Sequence, residues 1–273
     1  MKKITYLIIM LVIISCQRED IEATSTPTYL EINNITLDDG TPLPSVTDAW
    51  VYVNDQLQGV YELPAKFPVL EEGVQTLRVR AGIKANGIAS NRIYYPFYNS
   101  YFEDVNFTPN ETRTISPTTN YLENAEFEFE DFEGNSEKLA ITSISDVNYE
   151  KLTENSNSFA FASLSSDTLF TFEIASEELE NLPQAGAPVF LELDYKCNTR
   201  FLVGVYINYP QSVVQKDLLW ISPKEDWNKI YINLTSTISE GIGATSFKVF
   251  VGMKRDPELD ENKLYFDNFK VVY

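Results

Sequence analysis

Val189-Phe-Leu-Glu-Leu-Asp-Tyr-Lys196 and, four residues later, Phe201-Leu-Val-Gly-Val-Tyr-Ile-Asn-Tyr209 decide the fold class. In the first, Val189, Leu191, Leu193 and Tyr195 fall on one side of the chain, and Phe190, Glu192, Asp194 and Lys196 on the other. In the second, Phe201, Val203, Val205, Ile207 and Tyr209 oppose Leu202, Gly204, Tyr206 and Asn208. Side chains that alternate with a period of two belong to strands, each with an aliphatic row for a core and a mixed row facing away from it. Trp227 to Leu234 repeats the pattern, with Ile230, Ile232 and Leu234 against Trp227, Lys229, Tyr231 and Asn233.

The same alternation runs outward along the chain. Trp50-Val51-Tyr52-Val53 leads into an Asn54-Asp55 turn, and Gly59-Val60-Tyr61-Glu62-Leu63 returns. The Glu71-Glu72-Gly73 turn feeds Val74 to Arg80, where Leu77 and Val79 alternate with Thr76, Arg78 and Arg80. No long stripe at helical spacing appears; the best helical stretch, Ser176 to Leu182, is short and stopped by Pro183. The chain therefore reads as all-β. Pro117-Thr118-Thr119-Asn120 breaks the pattern, so two β-sandwich domains are expected, at 28–117 and 118–273.

Four phrases of the second domain occur in a telling order: FEDFEG (129–134), FLELDYKC (190–197), DWNKIYINL (226–234) and LYFDNFKVV (264–272). Together they resemble the jelly-roll sandwiches of carbohydrate-binding modules and galactose-binding-like domains. The resemblance implies a jelly roll for this domain, glycan as ligand, and Trp227 packed at a strand start. It also implies a structural calcium joining the opening strand to the last, where Glu130 or Asp131 and Asp267 match loosely; an all-oxygen ligand set suits that ion. In the first domain, Val51-Tyr52-Val53-Asn54-Asp55 followed by Gly59-Val60-Tyr61 and Gly73 to Val79 is similar to the small surface β-sandwich repeats called PEGA domains.

Composition narrows the chemistry. There is no His in 273 residues, which removes Ser-His-Asp and Cys-His catalysis, His-containing zinc sites and imidazole bases. Of the two Cys, Cys16 is the expected lipidation residue, so Cys197 alone cannot build a thiolate metal site and reads as a small buried hydrophobe on a strand. With 21 basic against 40 acidic side chains, the chain carries a net charge of −19, which disfavours nucleic acid and anionic lipid headgroups.

What remains is recognition. The mixed rows place rings beside hydrogen-bonding groups: Tyr206 and Asn208 on one strand, Glu192 and Asp194 on another, with Lys229 and Tyr231 nearby. Sugar binding needs a ring to stack on C–H faces and fixed partners for hydroxyls. Tyr206, Asn208, Trp220, Glu192 and Asp194 are the candidate ligand residues, with Trp220 the expected exposed ring. An ordinary solvated sheet face would have the same composition. Glu192-Leu193-Asp194 also resembles the Glu-x-Asp-x-x-Glu strand of jelly-roll glycosidases, but Cys197 stands where the second Glu belongs, so no enzyme activity is expected.

The N-terminus sets the compartment. Met1-Lys2-Lys3 precedes the apolar run Ile4 to Ile14, too short to span a bilayer at about 1.5 Å per helical residue. Ile13-Ile14-Ser15-Cys16 resembles a bacterial lipobox, which implies a signal peptide at 1–15, lipidation of Cys16 and a tether at 16–27. Gln17 to Glu22 is similar to the acidic surface-export tag of Bacteroidota lipoproteins, so an outer-membrane, outward-facing lipoprotein is expected. Asp167-Thr168-Leu169 matches the short O-glycosylation pattern of that group. Two functions stay open: a non-catalytic binding module, with glycan as partner, or a structural subunit of an outer-membrane complex for secretion, gliding or nutrient uptake.

Overall fold

The computed structural model describes residues 26–43 and 45–273. Cys16 and the expected signal peptide lie outside the described residues, and no described helix is long and apolar enough to cross a membrane. Two β units follow one another along the chain.

The first contains β1 (Thr28–Ile32), β2 (Thr36–Leu37), β3 (Val46–Val53), β4 (Gln56–Glu62), β5 (Ala65–Val69), β6 (Gly73–Lys84), β7 (Arg92–Tyr94), β8 (Tyr101–Phe107), β9 (Thr112–Ile115) and β10 (Thr118–Thr119). Its larger sheet runs β4-β3-β6-β7 with β8 also on β6, and its smaller one runs β5-β1-β9. The expected Asn54-Asp55 turn is present with positive φ at both residues (49° and 63°), the backbone twist that a tight hairpin requires. Leu77 and Val79 are buried and Val74 exposed, as the alternation in β6 dictates. Strand pairing of this unit runs past Pro117, because β10 pairs in parallel with β2.

The second unit holds β11 (Phe127–Glu130), β12 (Leu139–Ile141), β13 (Glu150–Glu154), β14 (Asn157–Leu164), β15 (Thr171–Ser176), β16 (Phe190–Cys197), β17 (Phe201–Tyr209), β18 (Ser212–Ile221), β19 (Lys224–Asn233), the short helix α1 (Thr235–Glu240), β20 (Ser246–Lys254) and β21 (Asn262–Val272). A six-stranded sheet, β13-β14-β21-β16-β19 with β11 also on β21, faces a five-stranded sheet, β12-β15-β20-β17-β18. Leu191, Leu193, Tyr195 and Cys197 from one sheet meet Phe201, Val203, Val205 and Ile207 from the other in a single buried cluster. The all-β sandwich expected from the sequence is the fold found. The helix, however, is Thr235–Glu240. Ser176 instead ends β15, and Leu179 bridges Phe247 through two backbone hydrogen bonds, so pairing overrides the helical propensity of the Glu-rich stretch.

The two units share one apolar cluster. Tyr95, Phe97 and Tyr98 of the first pack on Phe190, Tyr231 and Val272, which point outward from the six-stranded sheet of the second. Polar contacts reinforce the junction. The Asn86 N–H donates to the Tyr231 carbonyl at 2.8 Å, and Asn86 Oδ1 accepts from the Asn233 N–H at 2.8 Å. Half of that sheet face is therefore covered by the first unit, and the other half stays open.

Candidate functional site

Glu192 lies under the covered half, fully buried. Its carboxylate accepts from Tyr95 Oη at 2.7 Å and from Tyr121 Oη at 2.8 Å, and Lys229 Nζ sits 3.0 Å away. Burial, then the Glu192 charge, pushes the Tyr95 and Tyr121 hydroxyls well up from the usual phenol range, so both act as donors. Lys270 backs the group, held below the usual lysine range by burial. This corrects the expectation that Glu192 faces a ligand: it lies on the outward-facing mixed row, but the first unit encloses that part of the row. Glu192 and Tyr231 fasten the two units together.

The open half begins at Asp194. Its Oδ2 accepts from Asn268 Nδ2 at 2.8 Å, and Lys229 Nζ lies 3.8 Å from Oδ1. Two irregularities in the ladder build the site. Between β16 and β21, Glu192 pairs with Lys270 but Asp194 with Asp267, so β21 carries one extra residue there. Asn268 absorbs it at φ 50°, a left-handed conformation that Asn tolerates. The bulge keeps Asp267 on the outer face, where its Oδ2 accepts from Asn157 Nδ2 at 2.9 Å and its Oδ1 from the Asn268 N–H at 2.7 Å. Burial pushes the Asp267 carboxyl up to about 6, against those two hydrogen bonds. Between β16 and β19, Tyr195 pairs with Asn228 and Cys197 with Lys224, so β19 carries its extra residues just before Trp227, which alternates outward with Lys229.

Trp227 keeps 40% of its surface exposed, about as much as the 41% of Trp220. It forms one end of an aromatic strip across the sheet: its ring meets Phe159 edge to face at 5.3 Å, and Tyr265 stacks on Phe161 at 4.6 Å. Lys196 Nζ sits over the strip, 4.5 Å from the Tyr265 ring centre and 5.3 Å from that of Trp227. Beside it opens a cleft of about 310 Å³ lined by Trp227, Asp194, Asp267, Asn157, Asn228, Lys229 and Asn268. An exposed indole here adjoins carboxylate acceptors and amides held in place by one another.

The other sequence-predicted residues lie elsewhere. Tyr206 and Asn208 are on β17, in the opposite sheet, so the candidate set is divided between the two outer faces of the sandwich. Tyr206 is half-buried over Phe250, and its hydroxyl donates to Glu173 at 2.5 Å. Asn208 Nδ2 donates to Ser246 Oγ at 2.9 Å. Trp220 stands at the end of β18 beside Arg200. For the calcium expectation, Glu130 accepts from the Phe132 and Lys138 N–H groups, one on each oxygen, and Asp131 accepts from the Glu133 N–H. Among the described residues no three acidic, Cys or His side chains gather around a metal position, and a carboxylate aimed at two N–H donors does not fit a cation ligand.

Sequence reasoning missed the site at Trp227, Asn157 and Asn268. Trp227 was already on the outer row by its period of two; the resemblance argued for packing and outweighed it. The bulge at Asn268 has no signature beyond Asp-Asn in a strand.

No protein-family model matches the chain, and no curated protein matches it. Among solved structures, it is similar to the CBM22-2 xylan-binding domain of Paenibacillus barcinonensis Xyn10C, at 15% identity over 53% of this chain and 98% of that one, with a TM-score of 0.39. A second likeness is to a xylan-binding domain from CBM 22, at 13% identity over 55% and 96%, TM-score 0.40. A third is to the family 11 carbohydrate-binding module of the Clostridium thermocellum cellulase Lic26A-Cel5E, at 11% identity over 54% and 94%, TM-score 0.38.

Proposed function

We propose that the chain is a non-catalytic glycan-binding module, held at the outer-membrane surface through lipidated Cys16, with the open half of the six-stranded sheet as its binding face. The observation that carries this reading is the cleft beside Trp227. A partly exposed indole offers a stacking surface for a sugar ring, Asp194 accepts hydroxyl protons, Asn157, Asn228 and Lys229 donate, and buried Asp267 holds Asn157 in place. The fixed hydrogen bonds among Asp194, Asn268, Asp267 and Asn157 hold the polar groups ready before any ligand arrives, which lowers the ordering cost of binding.

A hydrolytic role has less support. Cys197, where a second catalytic carboxylate would stand, faces the core, and burial pushes its thiol up. The first unit, PEGA-like in its sequence, serves as a rigid wall closing one side of the binding face. The aromatic surface shared by the two units is buried between them, so the alternative of an outer-membrane subunit gains nothing from it. A glycan array with the full chain tests the proposal: neutral oligosaccharides are retained, and Trp227→Ala abolishes retention. Retention unchanged by Trp227→Ala would reject this face as the site.

A further inference from the structure

On the five-stranded sheet, the Phe201–Met253 pair ends the β17–β20 ladder, and Arg200 and Lys254 are the next residues of the two strands. Strand parity puts both on the outer face with Leu202 and Gly252, and Leu202 pairs across to Trp220 on β18. Both cations line one cavity at this strand end, and like charges placed opposite one another repel. Acidic side chains outnumber basic ones almost two to one in this chain, yet among the described residues neither Arg200 nor Lys254 forms an ion pair. The Arg200 guanidinium lies 5.3 Å from the Trp220 ring centre. Arg255 also lines this cavity of about 330 Å³, fixed by the Leu164 carbonyl at 3.1 Å and with its charge matched by Asp167 at 2.7 Å, and among the described residues Asp256 is the acid that lines it. Gly252 contributes no side chain to this part of the face.

We propose that this end pocket is a second site, which takes a sugar unit bearing a carboxylate or sulfate. The anionic group sits between Arg200 and Lys254, relieving their repulsion, and the ring rests against Trp220. In a protein whose overall field repels anions, a local excess of positive charge selects the charged sugar over its neutral analogue. The sugar part of the ligand rests on the glycan-binding reading above; the capture of the anion does not.

The test titrates the full chain by calorimetry with an oligogalacturonate, its methyl ester, a sulfated oligosaccharide and inorganic sulfate. The acidic oligomer is expected to bind at least about tenfold more tightly than its ester, and more weakly as NaCl rises from about 50 to about 300 mM. Arg200→Gln with Lys254→Gln, both exposed positions, removes that preference, whereas Trp227→Ala leaves it. Comparison of the oligogalacturonate with the sulfated oligosaccharide and with sulfate alone identifies which anion the pocket prefers. Equal affinity for acid and ester, or an acid preference that survives the double substitution, would overturn the proposal. Loss of neutral-glycan binding alone would count against the Trp227 face and leave this site standing.

Discussion

Replacing Glu192 removes the centre of the junction between the two units. Glu192→Ala leaves Lys229 without its 3.0 Å partner and the Tyr95 and Tyr121 hydroxyls without an acceptor, all in a region where Glu192 itself has no exposed surface. Breaking a buried ion pair costs roughly 3–5 kcal/mol, and an unsatisfied buried hydroxyl about 1–3 kcal/mol. Asp194, 3.8 Å from Lys229 Nζ, offers that lysine a second partner, so the low end of the sum for one ion pair and two hydroxyls applies and about 5 kcal/mol is expected. For a chain of this size that corresponds to a fall in Tm of about 10–20 °C. Glu192→Gln keeps an acceptor for the tyrosines and loses only the charge, so its fall should be about half as large. Scanning calorimetry of the two variants measures both. A Tm within about 3 °C of wild type for Glu192→Ala would refute the reasoning, since it would mean that the junction contributes little to the folded state.

Gly204→Ala is expected to destabilise by at least about 2 kcal/mol, because a Cβ there would lie 2.3 Å from Phe250 Cζ and 2.5 Å from the Lys216 carbonyl; urea unfolding measures it. Asp267 binds its proton more tightly in the folded state than when unfolded, so the stability it lends is complete below about pH 4 and is lost as pH rises through about 6. Asp267→Asn should therefore flatten the fall in stability between pH 4 and 7, a change of up to about 3 kcal/mol. A slope that persists in Asp267→Asn assigns it to another group. Cys16→Ser should move the protein from the membrane fraction to the soluble one on cell fractionation, and a protein that stays anchored would contradict lipidation at that residue.

How far the sequence could be read varied with the kind of interaction. The aliphatic rows of β16, β17 and β19 were legible because a period of two is a local property, and Leu191, Val203 and Ile232 all reached the core. The opposite rows carried no such label. Phe190, Glu192 and Tyr231 alternate like any solvent-facing residues, and only the arrival of Tyr95 and Tyr121 from another part of the chain distinguishes a junction from an open face. The same limit divided the candidate ligand residues: Glu192, Asp194, Tyr206 and Asn208 come from consecutive strands, but β16 belongs to the six-stranded sheet and β17 to the five-stranded one. Local signals failed too where pairing was stronger, as in the Glu-rich stretch after Ser176, which bridges Phe247. At Trp227 the local signal held: its parity points outward, and the ring is partly exposed.

The chain has three Trp, and Trp50→Phe with Trp220→Phe leaves Trp227 as the single indole reporter. Titrating that variant with the neutral glycan retained on the array tests the binding face directly. The account predicts a saturable blue shift of the emission as the sugar covers the ring, abolished by Asp194→Ala. Binding that saturates by calorimetry while the Trp227 emission stays unchanged would contradict it.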